Sequence, residues 1–512
     1  MDITALGHSC VLLGFEDAET GESTRILVDP WLSDHAVGDA MGRFPRLRFD
    51  TADLGRIDAV YLTHAHCDHL DPYTLLRLWR ELETPPLLIL PVSLAFLVPI
   101  LEAQLPNPQI FLLEPHEPVE FRGLGLMGLF DVGSEPTNED DVMVLVVSHG
   151  TERVLVEADA RLSLELPRFR AYLSMLMREP HLDSAVWLTT ENELNGTMAG
   201  RLCTTPDERA ELYEACMEEL ELAVNQLYAP VDDAADAPDD VWQGEGVLRL
   251  VHGQGLGAAP ELDPRWQRVL FPVRVADRVA LERAIASQMG CRHGIDALRV
   301  GCTHRIEAGA VVDVTPEAWL ELLDDEADRA FEPGIAFAPA LPWAPLRSDP
   351  RDADAQADRI LAALNQRFLP HLHGMRSPPV IHLLSDHGGQ YRVRVHFGDR
   401  LGLEARDFVL GFGGRGFVVG PAEGVEPQEA YWANDLDDVL DGRCDEFSTF
   451  GRQQFPVAEM RLWASLATPL LNSDLVARRV ELHFERAHAG KTPGSWVRPL
   501  LPLDGDAAAD AG

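Results

Sequence analysis

Directly after the apolar run Ala59-Val60-Tyr61-Leu62, the chain reads Thr63-His64-Ala65-His66-Cys67-Asp68-His69. A short apolar run rich in β-branched and aromatic residues marks a buried strand, so this polar cluster belongs to the turn at the strand's end. Imidazole nitrogens and carboxylate oxygens are the natural ligands of borderline divalent metals. A turn with this spacing directs His64 and His66 at one metal, and Asp68 and His69 at a neighbour. A chain that uses such a turn must bury the strand and keep its carboxyl end open.

The surroundings supply such a frame. Ile26-Leu27-Val28, Leu87 to Leu90, Ile110 to Leu113, Val142 to Val147 and Val154-Leu155-Val156 read as buried strands alternating with helical patterns. Asp71-Pro72 is a helix start, an N-cap acid followed by proline at the first helical position, and leads into a helix over Tyr73 to Leu82. Thr205-Pro206-Asp207-Glu208 is a capping box and opens a helix to about Leu227. Val247 to Val251 reads as a further strand, after an acidic surface insertion over Pro230 to Asp240. Residues 344–357 read as a linker. Beyond it the pattern gives a helix near Asp358 to Phe368, strands near Val380 to Leu384, Gln390 to Phe397 and Phe408 to Phe417, and then helices. The last residues, 505–512, are expected to be a disordered tail.

The formal net charge of −40, with Lys491 the only lysine among 43 basic residues, disfavours nucleic acid and anionic membranes as partners. The most apolar window, Leu87 to Leu101, is broken by Pro91 and Pro99 and is shorter than the ~20 residues of a membrane span. Seven scattered cysteines do not read as a disulfide framework. These features give a cytoplasmic protein with no membrane span.

His64-x-His66-x-Asp68-His69 after a strand resembles the signature of the metallo-β-lactamase superfamily. Leu6-Gly7-His8-Ser9 and Leu27-Val28-Asp29-Pro30-Trp31-Leu32 are similar to the branch that contains ascorbate-phosphate lactonases and N-acyl-phosphatidylethanolamine phospholipase D. The resemblance implies an αββα sandwich over residues 1–260 and two divalent metals. Here 261–343 would be an extension packed on that domain, and 358–504 a second, C-terminal α+β domain. Two further ligands follow from the resemblance: Asp159, bridging the metals, and His252 at the end of Val247 to Val251. Asp68 and Asp159 would be the catalytic carboxylates. His8 and Asp29 fit the inner shell, where a buried acid commonly orients ligand histidines.

Hydrolases of this family usually carry a histidine where this chain reads Phe130-Asp131-Val132-Gly133-Ser134-Glu135-Pro136, and no histidine occurs between His116 and His149. Glu135 is the best-placed replacement and Asp131 the second. With Glu135, the first metal has the two-histidine, one-carboxylate set associated with non-haem iron. A similar glutamate occurs in the diiron β-hydroxylase of chloramphenicol biosynthesis. CMP-N-acetylneuraminate hydroxylase couples a similar domain to a long C-terminal region. The favoured function is therefore a diiron oxygenase or hydroxylase of a small organic substrate, supplied by an external electron donor. The alternative is a zinc or manganese hydrolase of a phosphodiester, lactone or amide, acting through a bridging hydroxide. Cys291-x-His293 and Cys302-x-His304 read as packed residues on a hairpin. Gly411 to Gly416 reads as a tight β-turn.

Overall fold

The computed structural model describes residues 1–16, 20–35, 41–130, 142–160, 167–191, 205–228, 247–253, 255–258, 273–325, 349–374, 388–398, 404–411, 414–422, 424–445, 461–466 and 471–491, with single residues at 332, 334, 345, 347 and 468. In chain order the strands of the two large N-terminal sheets are β1 (Asp2–Gly7), β2 (Cys10–Glu16), β3 (Ser23–Val28), β4 (Ala59–Tyr61), β5 (Leu87–Pro91), β6 (Gln109–Leu113), β7 (Val119–Phe121), β8 (Leu124–Leu129), β9 (Val144–His149), β10 (Glu152–Val156), β11 (Ser184–Glu191), β12 (Val247–Gly253), β13 (Gly294–Ala297), β14 (Cys302–Glu307) and β15 (Ala310–Pro316). They form two sheets, ordered β15-β14-β1-β2-β3-β4-β5-β6 and β13-β12-β11-β10-β9-β8-β7.

Successive side chains on a strand point to opposite faces, and here both faces are apolar, so each sheet is covered on both sides. In β3, Ile26 and Val28 meet Val154 and Val156 of β10 in the layer between the sheets. Leu27 points the other way, into a cluster with Leu75, Leu76 and Trp79 of helix α1 (Pro72–Glu81). In β10, Leu155 faces outward to Leu173 of α2 (Pro167–Met177) and Leu220 of α3 (Pro206–Tyr228). Helix, sheet, sheet and helix layers result, as an αββα sandwich. Full burial of each such aliphatic side chain contributes about 1.5–3 kcal/mol.

β3, β4, β5 and β6 pair in parallel, as do β10, β11, β12 and β13. The carboxyl ends of β3, β4, β10 and β12 lead into Asp29, Thr63, Asp159 and His252 or its immediate neighbours. Open α/β sheets bind ligands at that end.

The turn signals act as their chemistry dictates. Asp71 caps α1, its side chain accepting from Tyr73 N at 3.0 Å. Thr205 and Glu208 form a reciprocal capping box at 3.2 and 3.0 Å. β13 and β14 lie in different sheets, so Cys291-x-His293 and Cys302-x-His304 do not share a hairpin. His293 Nε2 instead lies 3.0 Å from Tyr228 Oη, and His304 Nε2 accepts from Arg299 N at 3.2 Å.

The C-terminal sheet contains β16 (Gln390–Phe397), β17 (Glu404–Gly411), β18 (Val418–Pro421) and β19 (Glu429–Trp432), in the order β18-β17-β16-β19. The strand expected over Phe408 to Phe417 ends at Gly411, where Gly414 N donates to Gly411 O at 2.9 Å, and the next strand begins at Val418. The first helix, α4 (Ala353–Ala363), is capped by Asp352 and so begins inside the expected linker, and it continues through a π-helical turn over Leu364–Phe368. The core of this part holds Ile360, Phe368, Tyr391 and Phe408, and it also takes in Trp31, Cys67 and Leu256 from the N-terminal part. The last described helix, α5 (Ser473–His488), buries Val476, Val480 and Phe484 against α1. The strand expected near Val380 to Leu384, the insertion at Pro230 to Asp240 and the tail 505–512 lie outside the described residues.

Candidate metal centre

Two backbone devices bring the cluster together. His8 and Asp29 adopt left-handed φ values of 51° and 44°, which non-glycine residues rarely hold without a local reason. Gly255 approaches His8 so closely that a Cβ there would sit 2.2 Å from His8 Cβ, so only glycine fits. His8 also bridges to Gly253, which joins the end of β1 to the end of β12.

Asp29 is fully buried and organises the turn. One carboxylate oxygen accepts from Thr63 N at 2.7 Å. The other accepts from Thr63 Oγ1 at 2.7 Å and faces His69 Nδ1 at 2.8 Å. Thr63 Oγ1, its proton committed to Asp29, accepts from His64 Nδ1 at 2.9 Å. These contacts fix which nitrogen each ring offers: His64 and His69 both turn Nε2 inward. A buried carboxylate or hydroxyl behind a histidine commonly plays this part at metal sites.

The inward atoms converge. His64 Nε2 lies 2.8 Å from His66 Nδ1 and 3.8 Å from Asp159 Oδ2. His69 Nε2 lies 3.0 Å from the same Asp159 oxygen. Asp159 thus stands between the two halves of the turn, and with 16% of its side chain exposed it is the most open member. His64, His66 and Asp159 form one group able to hold a metal, and His8, Asp68 and His69 form a second, with donor atoms within 4.8 Å of one another in each. His8 Nε2 is 3.1 Å from Asp68 Oδ2, so it stands among the candidate ligands rather than behind them. His252 donates Nδ1–H to His8 O at 3.2 Å, while its Nε2 and Asp68 Oδ1 are buried without a hydrogen-bond partner. Buried polar atoms left unpaired cost free energy, and a cation is the partner both would accept. The residues present therefore fit divalent metals.

Burial and the neighbouring charges act differently on the three rings. Burial, reinforced by the neighbouring His69 and His66, holds the His64 pKa well below its usual value. Burial also lowers His252, to about 4. Burial opposes charge on His69, but Asp159, Asp29 and Asp68 outweigh it and raise its pKa well above the usual value. His64 and His252 thus stay neutral, the form in which imidazole ligates.

Of the expected residues, the structure brings His64, His66, Asp68, His69 and Asp159 together and sets His252 beside His8. Glu135, with Asp131, lies outside the described residues. Among the described residues that follow it, Met143 N donates to Thr63 O at 3.0 Å. The histidines nearest in sequence are engaged elsewhere: His116 packs on Tyr172, and His149 on Phe15.

Residues 24–159 match the family model of the beta-lactamase superfamily domain. This part of the chain belongs to the metallo-β-lactamase superfamily. No curated protein matches the chain. Similar solved structures include the diiron β-hydroxylase CmlA from Streptomyces venezuelae, at 19% identity over 60% of this chain and 54% of that one, with a TM-score of 0.32. They also include the metallo-β-lactamase fold protein YhfI from Bacillus subtilis, at 13% identity over 61% of this chain and 99% of that one, with a TM-score of 0.28. The match thus spans about half the length of the hydroxylase. Among the described residues, no helix is long and apolar enough to cross a membrane.

Proposed function

We propose that the chain is a dinuclear metalloenzyme whose metals are iron, and that it oxygenates or hydroxylates a small organic substrate with electrons from an external donor. The observation behind the choice of iron is one of composition. Residues 131–141 carry Asp131, Glu135 and further carboxylates but no histidine, and Met143, two residues after them, donates its N–H to Thr63 O. His64 and His66 would hold one metal with Glu135. Asp68, His69 and His252 would hold the other, and Asp159 would reach both. Two imidazoles and a carboxylate on one metal suit iron and leave positions free. When bound, the pair would supply activation of dioxygen. Asp29 and Thr63 keep the imidazole nitrogens aimed, and Asp159 is the most exposed of the described candidate ligands.

The competing reading, a zinc or manganese hydrolase, is favoured by one feature. His8 adds an imidazole beside Asp68 and His69, and a nitrogen-rich group suits zinc. The test loads the purified full chain anaerobically with iron, reduces it, and follows dioxygen consumption against Glu135→His. Rapid consumption by wild type, lost in Glu135→His, supports the proposal. No oxygen chemistry, with hydrolysis of a phosphodiester in zinc or manganese, replaces it with the hydrolase.

A further inference from the structure

Helix α5 is far from the metal turn in sequence yet packs behind it. Its apolar stripe shares a cluster with Ala65, Leu70 and the inner face of α1. Tyr73 Oη lies 3.2 Å from His483 Nδ1 and accepts from Arg486 at 3.3 Å, and His488 Nε2 donates to Gln104 O at 3.1 Å. The other end of α5 is held by the C-terminal part, where Arg367 grips Asp474 at 2.8 and 2.6 Å and Arg478 donates to Asp441 O at 3.0 Å. Between these anchorages Arg479, itself only 6% exposed, donates Nη2–H to Ala65 O at 3.2 Å.

Ala65 separates His64 from His66, and its carbonyl belongs to the peptide that carries His66. The turn is not regular secondary structure, so its peptide planes are held by individual contacts. Met143 N takes Thr63 O, and the amides of His69 and Leu70 take His66 O. Arg479 takes the carbonyl between them. That bond fixes the plane of the 65–66 peptide, from which the His66 imidazole projects.

We propose that Arg479 is a positioning residue for the metal turn. By holding the Ala65 carbonyl it fixes the relative placement of the His64 and His66 rings, so a helix anchored on the C-terminal part tunes metal affinity. This inference rests on the metal reading above. Removing groups that orient metal ligands typically costs about 10- to 100-fold in affinity.

The test uses cobalt(II) with the full chain and reads affinity, by competition with a chromophoric chelator, and the ligand-field absorption spectrum. Arg479→Ala should bind cobalt about 10- to 100-fold more weakly, with shifted ligand-field bands. Added methylguanidinium should restore part of the loss, and Arg479→Lys, which keeps one donor, should fall between. Arg486→Ala, which removes a contact from the same helix but not from the turn, should keep wild-type affinity and spectrum even where it lowers Tm. Should Arg479→Ala fail to fold, the Lys variant and its spectrum carry the comparison. The proposal is overturned if the variants at 479 match wild type, or if Arg486→Ala weakens cobalt binding equally. Wild type that binds no cobalt overturns the metal reading as well. Binding lost in His66→Ala but kept in Arg479→Ala overturns this proposal alone.

Discussion

Replacing Asp29 with asparagine exchanges one acceptor oxygen for an NH2 group at the centre of the turn. The carboxylate accepts three contacts, from Thr63 N, Thr63 Oγ1 and His69 Nδ1. An amide has one acceptor oxygen and one NH2 group, so one side must face a donor. If the NH2 meets Thr63 N, two donors oppose each other, and an unsatisfied buried donor costs about 1–3 kcal/mol. If it takes the other side, Thr63 Oγ1 and His69 Nδ1 must both become acceptors. His69 then carries its proton on Nε2, the atom otherwise offered to a metal. Either way the metal-free chain should lose about 1–3 kcal/mol, and metal affinity should fall about 10- to 100-fold. Urea unfolding of metal-free protein reads the first quantity, and chelator competition reads the second. Asp29→Asn with wild-type metal affinity would refute the argument that Asp29 sets the His69 tautomer.

Two further outcomes concern α5. Phe484 is fully buried against α1, so Phe484→Ala should cost about 3–5 kcal/mol, read as a fall in the denaturation midpoint. An effect below about 1 kcal/mol would mean that the helix does not share that core. His483 is held neutral: burial, with Arg479 and Arg486 nearby, lowers its pKa from 6.5 to about 3. Above pH 7 both folded and unfolded chains are neutral there, so the residue adds no pH dependence. Between 6.5 and about 3 the unfolded chain takes a proton that the folded helix refuses. Stability should therefore fall with falling pH by up to about 1.4 kcal/mol per unit. His483→Gln should flatten that part of the pH profile, and an unchanged slope would contradict the assignment.

The parts of the fold that could be read from sequence are those whose signals are local. Asp71-Pro72 announces α1 because an N-cap acid and a fixed φ act within one turn, and the Thr205–Glu208 box does the same for α3. The β1–β2 hairpin is not among the strands read from sequence. Cys10-Val11-Leu12-Leu13-Gly14-Phe15 is continuously apolar, buried on both faces, and has no alternation to separate strand from helix. The ligand turn is legible because its residues are adjacent. His8 as a candidate ligand is less so: its nearness to Asp68 depends on a left-handed residue after β1 and on Gly255 closing against it. Arg479 carries no local signal at all, since its partner lies 414 residues away. The separateness expected of residues 358–504 rests on the linker reading of 344–357 and on the absence of any ligand cluster downstream. The sharing of Trp31 and Cys67 with the C-terminal core, and of α5 with α1, is long-range packing that composition does not encode. We propose that this segment is a domain docked on the metal turn.

The most direct test of the central claim is a metal count. Native mass spectrometry of the full chain, reconstituted anaerobically with iron and desalted, should show two ions per chain. Glu135→Ala should show one, and Asp159→Ala, which removes the carboxylate that reaches both positions, should retain neither tightly. Wild type that retains no metal, or a single ion unaffected by Asp159→Ala, would contradict the dinuclear account.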